Sequence, residues 1–249
     1  MYFAIPSKKR SHILEQHTLP FLYRHNIPKE DIYIFVSSHK DEIEDDYLEY
    51  LNKFCEYNVI MAEDGIAGVH NFITNYFDEG EQIILIDDDI EDLKHIEDFD
   101  TDLKQVLLKA FTTLKRTGKR YFGFYAFKWE REQKRLKYAT EGLCYILGCL
   151  VGVINDKTCI IPAAVQYKED VFRVLHFYKN SGTIRYNKFY IKTKYYRKDG
   201  GLATTRTNEN EKDSANALAA LYPEYISAYQ KKDKTQFRFN RKLVNISTP

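Results

Sequence analysis

The sequence predicts an α/β fold with a mainly parallel sheet and helices on both faces. Short β-type runs alternate with longer amphipathic stretches from the first residue onward, as in consecutive strand–helix units. The run Gln82–Ile86 contains four large aliphatic residues in a row, which is typical of a strand buried on both faces. No repeat, low-complexity linker or composition shift divides the 249 residues. We therefore predict a single domain over 1–249 whose second half departs from the regular alternation.

Four strand–helix units fit before residue 90. In this part we predict strands at 2–6, 31–37, 59–62 and 82–86, and helices at 11–25, 41–57 and 65–77. An acidic loop is expected next. Beyond it we predict helices at 102–116, 170–179 and 214–229, and strands at 121–127, 143–154, 158–160 and 183–192. The last helix either ends at Pro223 or continues past it.

Composition excludes several classes of protein. A hydrophobic content of 44% and an aromatic content of 15% provide one sizeable core and argue against disorder, collagen and coiled coil. The four cysteines form no C-x-x-C pair, and the chain opens with strand-like sequence instead of a signal peptide, so we expect a reduced, cytoplasmic protein. The longest apolar run, 143–154, is far below the roughly 20 residues that a bilayer requires, so no membrane contact is expected.

Charge is distributed unevenly along the chain. Residues 1–184 hold 23 Lys and Arg against 30 Asp and Glu, whereas residues 185–249 hold 14 against 6. The formal charges are therefore −7 and +8. A basic C-terminal quarter indicates a polyanionic partner, either nucleic acid or the phosphates of a nucleotide. An ordinary solvated charged surface is the alternative.

Three aspartates, Asp87, Asp88 and Asp89, directly follow the apolar run Gln82–Ile86. The carboxyl end of a strand in an open α/β sheet is where ligands bind. In extended backbone Asp87 and Asp89 share one side, so both can reach one divalent ion, and carboxylate oxygens suit Mg²⁺ or Mn²⁺. The alternative is that the aspartates cap a helix or only end the strand. Three adjacent like charges repel, so their placement favours a metal.

An aliphatic strand that ends in Asp-x-Asp, about 85 residues after an N-terminal strand and turn, resembles the GT-A class of nucleotide-sugar glycosyltransferases. The segment 2–10 (YFAIPSKKR), the pair Thr18-Leu19, the turn and helix at 65–71 and the triplet 87–89 look more narrowly like the TET/JBP-associated glycosyltransferases. Those are phage and related enzymes that attach sugars to hydroxymethylated pyrimidines in DNA. The resemblance implies a Rossmann-like GT-A domain, with a nucleotide-sugar-binding half over 1–95 and an acceptor-binding half over 96–249.

The same resemblance implies a donor site for a UDP-sugar with Mn²⁺ or Mg²⁺ held by Asp87 and Asp89. The loop after the first strand would embrace the nucleotide, with Ser7 on ribose or base and Lys8 or Arg10 on phosphate. The full set of expected donor contacts is Pro6, Ser7, Lys8, Arg10, Ser37, Gly65, Gly68, Asn71, Asp87, Asp88, Gly200 and Gly201. Gly200 and Gly201 belong to a late loop that would complete the site, with an ordinary Asp-Gly hairpin as the alternative.

An acidic pair, Glu169-Asp170, opens the predicted helix at 170–179 and resembles the Glu-Asp motif of inverting GT-A enzymes. An inverting displacement needs a base for the acceptor hydroxyl, and Asp170 is the candidate, with Glu169 second. The alternative is that the pair only caps the helix. His70 is expected to be a packed or surface histidine, and His176 is an open candidate for a third metal ligand.

Aromatic and basic residues alternate in two segments, 127–137 and 231–242. This composition suits phosphate contacts combined with base stacking, which favours a DNA acceptor. The leading interpretation is transfer of a sugar, glucose or a pentose, to a hydroxymethylpyrimidine in DNA or to a sugar already on it. The alternative is transfer to a surface glycan or protein hydroxyl. A nucleotidyltransferase is disfavoured because the loop 6–10 has no glycine, and a non-catalytic nucleic-acid module would have no use for the acidic triplet.

Overall fold

A nine-stranded sheet forms the centre of the molecule. The computed structural model describes residues 1–37, 43–97, 99–194, 206–231 and 234–240, and for 43–45, 231, 234 and 235 it describes the backbone alone. The strands are β1 (Tyr2–Ser7), β2 (Ile32–Ser37), β3 (Asn58–Ala62), β4 (Gln82–Ile86), β5 (Ile90–His95), β6 (Tyr121–Tyr125), β7 (Ala139–Glu141), β8 (Leu150–Ile154) and β9 (Thr183–Thr193), with a separate hairpin of β10 (Ile226–Lys231) and β11 (Lys234–Phe239).

Helices cover both faces of this sheet. They are α1 (Ser11–Gln16), α2 (Thr18–Arg24), α3 (Ile43–Lys53), α4 (Ile66–Tyr76), α5 (Leu103–Thr117), α6 (Glu130–Arg135), α7 (Glu169–Asn180) and α8 (Asn208–Leu221), with short 3₁₀ turns at Lys29–Asp31 and Ala163–Lys168. Among the described residues, none of these helices is long and apolar enough to span a membrane.

The strand order is β3-β2-β1-β4-β8-β6-β9-β5, and β7 also pairs with β9. The four strands β1 to β4 are mutually parallel, β8 runs against both of its neighbours, and β6 and β9 run parallel to one another. β5 and β7 run against β9. The carboxyl ends of β1 to β4, β6 and β9 therefore lie at one edge of the sheet. This confirms a mainly parallel sheet with a modified second half.

Alternate residues of β4 show how the core is divided. Ile84 and Ile86 belong to one apolar cluster, which includes residues of α1, α2, α3 and α5. Ile83 and Leu85 belong to a second cluster, which includes residues of α4, α7 and α8. Because successive side chains of a strand point to opposite faces, the aliphatic run is buried on both sides, as the sequence predicts.

The single helix expected at 11–25 is two helices, α1 and α2, with a break at His17. Pro20 explains the break, because it has no N–H to donate to the carbonyl of Gln16, and its ring crowds that carbonyl. The break also turns Thr18 toward the loop after β4, where its hydroxyl makes two hydrogen bonds.

The second half of the chain differs more from expectation. The acidic loop after β4 contains β5, the strand expected at 143–154 shrinks to β8, and 158–160 is not a strand. The helix expected at 214–229 begins at Asn208, after the Thr207 cap, and ends before Pro223, and the hairpin of β10 and β11 follows. Long-range pairing with β9 and packing on α8 stabilise these strands, so local periodicity does not reveal them.

Candidate active site

The candidate site lies at the carboxyl edge of the sheet, between β1 and β4. Here the strand order reverses, because β2 and β3 lie on one side of β1 and β4 on the other. Crevices that bind ligands open at such switch points. The loop 7–10 after β1 and the triplet 87–89 after β4 both emerge at this place.

The backbone of Asp87 is held from two sides. Its N–H donates to the carbonyl of Cys149 (2.9 Å), next to β8, and its carbonyl accepts from the hydroxyl of Thr18 (2.7 Å). The same hydroxyl oxygen accepts from the N–H of Ile90 (2.9 Å). Thr18 therefore spans both ends of the aspartate turn and fixes its backbone.

Arg10 bridges the other two aspartates. Its Nη1 lies 3.0 Å from Asp88 Oδ1 and its Nη2 lies 3.1 Å from Asp89 Oδ2, and both carboxylates are buried. Burial raises the pKa of Asp88 to about 6, although Arg10 and Ser7 oppose this rise. Arg10 was expected to contact phosphate. In the structure its guanidinium is paired with two carboxylates of the loop after β4.

A relay of hydroxyl groups fixes the loop after β1. The N–H of Arg10 donates to Tyr50 Oη (2.9 Å), Tyr50 Oη lies 2.7 Å from Ser7 Oγ, and Ser7 Oγ donates to Asp88 Oδ2 (2.7 Å). Since the one hydroxyl proton of Ser7 is directed at Asp88, Tyr50 must donate to Ser7. The Ser7 hydroxyl thus connects Asp88 to α3, and its expected contact with ribose or base stays a prediction.

A second polar group follows β3 and was not found from the sequence. Asp64 forms an ion pair with Lys8 and accepts a hydrogen bond from Ser37 Oγ (3.2 Å). Lys8, Ser37 and Asp64 thus converge beside β2 and β3, next to Pro6 at the end of β1. An acidic residue directly after a strand was the signal that could have identified Asp64.

The two glycines predicted for the donor site lie at the start of α4, Gly65 directly before it and Gly68 in its first turn. Gly65 has φ 80°, a region that favours glycine, and directly precedes the helix. A Cβ on Gly68 would lie 3.2 Å from Glu63 Cβ, so the helix approaches the end of β3 closely. Both glycines shape the backbone beside Asp64.

The amide of Asn71 is bound to the backbone of Ile161. Its Nδ2 donates to the carbonyl of Ile161 (2.9 Å) and its Oδ1 accepts from the N–H of Ile161 (2.7 Å). The expected contact of Asn71 with base or sugar stays a prediction. The neighbouring His70 is buried, as expected, and burial together with Arg173 lowers its pKa well below the usual value.

The acidic pair lies at the start of α7. Asp170 Oδ1 accepts from the N–H of Val171 (2.8 Å), and Asp170 Oδ2 accepts from Tyr145 Oη (2.9 Å). Glu169 is the first residue of the helix, and its Oε2 is buried without a hydrogen-bond partner among the described residues. Burial raises the pKa of Glu169 to about 7, and the charge of Asp170 contributes.

The start of α7 lies close to the triplet. A Cβ on Gly148 would lie 3.2 Å from Asp170 Cβ, and the carbonyl of the next residue, Cys149, accepts from the N–H of Asp87 (2.9 Å). Burial raises the pKa of Asp87 to about 8, and the charges of Asp89, Asp88 and Glu169 add to this rise. Burial also raises the pKa of the Cys149 thiol well above its usual value, with further contributions from Asp87, Asp89 and Asp170. Cys149 therefore lies between the end of β4 and the start of α7.

Arg173 lies beside Gly148, and no pattern in the sequence had indicated it. It is 4% exposed, and its Nη2 would be 2.8 Å from a Cβ on Gly148. Its charge also acts on His70 and Glu169. A buried guanidinium one helical turn below Asp170 offsets part of the negative charge at the start of α7.

Three groups of predicted residues remain outside this arrangement. Gly200 and Gly201 fall outside the described residues. His176 Nε2 lies 3.2 Å from Asp156 Oδ2, near the amino end of β4, so it belongs to the opposite edge of the sheet and is not a third ligand. Phe237 and Phe239, in the segment 231–242, pack against the cluster that contains α8 and so do not form an open stacking platform.

The segment 127–137, by contrast, follows the carboxyl end of β6 and so begins at the edge of the sheet that carries the triplet. Phe127 and Trp129 are 41% and 58% exposed. Gln133 anchors the segment, because its Nε2 donates to the carbonyls of Asn187 (2.9 Å) and Phe189 (3.2 Å).

The carboxylates of Asp87 and Asp89 have the chemistry that Mg²⁺ and Mn²⁺ prefer. Asp89 is buried, and its Oδ2 lies 3.1 Å from Arg10 Nη2. Among the described residues, no group of three His, Cys, Asp or Glu side chains is arranged to hold a metal ion. The residues therefore fit an ion that takes two ligands from the chain and others from phosphate oxygens and water, as Mg²⁺ commonly does.

Comparison with solved structures identifies the architecture. The sequence matches no protein-family model and no curated protein. The structure is similar to Staphylococcus aureus TarS 1–349, with a TM-score of 0.51 and 13% identity over 90% of this chain and 72% of that one. It is also similar to glucosyl-3-phosphoglycerate synthase from Mycobacterium tuberculosis, with a TM-score of 0.52 and 10% identity over 95% of this chain and 86% of that one. The chain has the GT-A fold.

At these identities the likeness concerns the GT-A fold alone, and the residues of the site rest on their own geometry. The synthase structure is a complex with Mn²⁺, UDP-glucose and phosphoglyceric acid. A further mycobacterial protein shares the fold, with a TM-score of 0.52 and 10% identity over 96% of this chain and 82% of that one.

Proposed function

We propose that this protein is a glycosyltransferase that uses a UDP-sugar and a divalent metal ion. The observation that carries the proposal is the proximity of the pair Glu169 and Asp170 to the triplet Asp87, Asp88 and Asp89 through Gly148 and Cys149, at the carboxyl edge of a GT-A sheet. A site with these two acidic groups can hold a metal on one side and accept a proton on the other. The Mn²⁺ and UDP-glucose bound by the mycobacterial synthase support the choice of donor and metal.

The donor side of the site follows from charge and position. Asp87 and Asp89 would hold Mn²⁺ or Mg²⁺, which when bound neutralises the charge that develops on the departing diphosphate. Arg10 and Lys8 are paired with Asp88, Asp89 and Asp64 in this structure, so the loop after β1 would place their positive charge beside the diphosphate. Asp64, with Ser37, forms the wall at β2 and β3 where a hydrogen-bond acceptor can receive an N–H from the base.

The acceptor side is built on the start of α7. Asp170 has one oxygen held by Val171 and the other by Tyr145, which leaves a lone pair on Oδ2 free to accept the proton of an attacking hydroxyl. Glu169 is the second candidate, because its raised pKa of about 7 suits a group that exchanges a proton near neutral pH. Asp170 as the base corresponds to direct, inverting displacement at the anomeric carbon.

For the acceptor, we propose a hydroxymethylpyrimidine in DNA, or a sugar already attached to one. The support is the exposed pair Phe127 and Trp129 with Arg131, Arg135 and Lys137 after the carboxyl end of β6. Stacking on the aromatic side chains would offset part of the cost of extruding the base. The packing of Phe237 and Phe239 removes those two side chains from this argument. The alternative acceptor is a hydroxyl of a surface glycan or protein.

UDP release from a panel of UDP-sugars tests the donor and the acceptor together. The assay contains Mn²⁺ and is run with no DNA, with unmodified DNA, and with DNA that contains 5-hydroxymethylcytosine or its glucosylated form. We expect release that EDTA abolishes and that only modified DNA stimulates. Metal-dependent release without any response to DNA would retain the transferase and assign a glycan or protein acceptor. No release and no binding of UDP with Mn²⁺ would refute the proposed function.

A further inference from the structure

Tyr145 lies in the loop before β8. Among the described residues, it is the one side chain outside α7 that forms a hydrogen bond with the Asp170 carboxylate. Its hydroxyl donates to Asp170 Oδ2 at 2.9 Å. The phenol ring is 39% exposed and lies with its centroid 5.9 Å from that of Phe237. A half-exposed tyrosine is not needed to fill the core, so its role follows from the hydroxyl.

The backbone of Tyr145 is held by a chain of interactions that begins at α6. Arg185 donates from Nη1 to the carbonyl of Tyr145 (3.0 Å) and from Nη2 to Tyr125 Oη (3.0 Å). Its guanidinium also lies 4.2 Å from the centre of the Tyr125 ring. Tyr125 Oη in turn donates to Glu132 Oε1 (2.8 Å).

This chain joins β6, β9, α6 and the loop before β8 into one support. Burial raises the pKa of Tyr125 to about 12, so this phenol remains protonated and continues to donate to Glu132. Arg185 can hold two partners at once because its guanidinium presents several N–H groups in a fixed plane. The position of Tyr145 is therefore set by residues distant from α7.

We propose that Tyr145 is a positioning residue that fixes the Asp170 carboxylate for proton transfer from the acceptor. This inference rests on the proposed function and on Asp170 as the base. With Oδ1 held by the N–H of Val171, the bond from Tyr145 to Oδ2 removes the remaining rotation of the carboxylate. One lone pair of Oδ2 then points in a constant direction. A base displaced by about 1 Å loses on the order of 100-fold in rate.

The test compares Tyr145→Phe, Asp170→Asn and the double variant with the wild-type protein. UDP release is measured with Mn²⁺, the UDP-sugar that the panel selects and the acceptor that it selects. We expect Tyr145→Phe to lower kcat by about 10-fold to 100-fold while the KM for the donor stays within about twofold. In the Asp170→Asn background, the same change should have no further effect on the residual turnover. Calorimetry of UDP binding with Mn²⁺ should give the same affinity for all variants.

Tyr76→Phe is the matched control, because it removes a tyrosine hydroxyl at the far end of α4 and should leave kcat unchanged. Wild-type kcat in Tyr145→Phe would overturn the inference and leave the proposed function intact. If Tyr145→Phe lowered kcat equally in the wild-type and Asp170→Asn backgrounds, the inference would also be overturned, because Tyr145 would then act independently of Asp170. Full turnover by Asp170→Asn would remove both the base and its positioning residue but retain the transferase. Absence of UDP binding and release in the wild-type protein would instead identify a failure of the proposed function.

Discussion

Single side chains explain how three consecutive aspartates are accommodated at one strand end. The single positive charge of Arg10 is shared between Asp88 and Asp89, and the Ser7 hydroxyl donates to Asp88. Asp87 receives less compensation, and burial with its charged neighbours raises its pKa to about 8. A divalent ion at Asp87 and Asp89 would relieve this repulsion, which is the electrostatic reason to place the metal there.

Asp89→Asn is expected to lower Mn²⁺-dependent UDP release by at least about 100-fold, because the metal loses a charged ligand. The fold should persist, since asparagine keeps the size of the side chain and an oxygen that can accept from Arg10. Turnover and the thermal midpoint are measured side by side. Asp213→Asn, at an exposed position of α8, is the control and should retain full turnover. Near wild-type turnover in Asp89→Asn would contradict the metal assignment.

Glu169→Gln is expected to stabilise the metal-free protein more at pH 8 than at pH 4. The folded-state pKa of about 7 lies above the value of about 4.3 for an unfolded glutamate, so folding retains a proton between these pH values. The stability that this group contributes is complete below pH 4 and is lost as the pH rises to about 7. Because glutamine does not titrate, the Glu169→Gln variant does not undergo this loss of stability.

Thermal unfolding in EDTA at the two pH values measures this effect, and we expect a gain of roughly 3 °C at pH 8. Glu209→Gln, an exposed change in α8, serves as the reference and should give the same small change at both pH values. An equal shift for Glu169→Gln at pH 4 and pH 8 would show that the Glu169 carboxyl is not protonated in the folded state near neutral pH.

At the scale of elements, the site depends on where helices and strands begin and end. The break between α1 and α2 places Thr18 at the start of a helix, facing the loop between β4 and β5. The turn Ala163–Lys168 leads directly into α7 and so determines where Glu169 and Asp170 lie. Each of these boundaries positions an acidic group.

Thr18→Val is expected to weaken the site with little change in volume. Both hydrogen bonds of the buried hydroxyl are lost, which costs about 1–3 kcal/mol because the Asp87 carbonyl and the Ile90 N–H lose a partner. The affinity for UDP in the presence of Mn²⁺ should fall as the aspartate turn loosens. Calorimetry and denaturant unfolding measure the two effects. Thr112→Val, on the exposed face of α5, is the control, and an unchanged UDP affinity in Thr18→Val would contradict the role of Thr18.

At the scale of the whole molecule, the C-terminal segment supports the site. α8 packs against the turn Ala163–Lys168, and the Lys168 ammonium lies 3.7 Å from the Glu211 carboxylate. Leu218 of α8 and Val171 of α7 belong to the same apolar cluster and are both fully buried. The described part of the basic quarter thus packs against the structure that carries Asp170.

Leu218→Ala is expected to destabilise the whole protein by about 3 kcal/mol, or roughly 6–12 °C in the thermal midpoint, because it leaves a cavity between α8 and the sheet. The unfolding transition should remain single, since α8 shares its core with α4 and α7. Leu221→Ala, at a 51% exposed position of the same helix, should change the midpoint little. Two separate calorimetric transitions would indicate that α8 and the hairpin unfold independently.

Strong local patterns explain which parts were predictable. The strands β1 to β4 are apolar runs of five or six residues, and the structure has each within a residue or two of its predicted bounds. The segment that became β5 and the hairpin of β10 and β11 carry many polar residues. β5 pairs with β9, about 100 residues later in the chain, and the hairpin packs on α8, so local periodicity does not show these strands.

By itself, the sequence determined the α/β class, the parallel direction of the first strands and the position of the acidic triplet. These follow from hydrophobic periodicity and from the rule that ligands bind at the carboxyl ends of strands. Only the tertiary structure decided which side chains form hydrogen bonds with the triplet and with Asp170, the proposed base. Ser7 and Asp88 are 81 residues apart in the chain, Thr18 and Asp87 are 69 apart, and Tyr145 and Asp170 are 25 apart. Such contacts form when separate elements pack, so their physical cause lies in the fold and not in any local pattern.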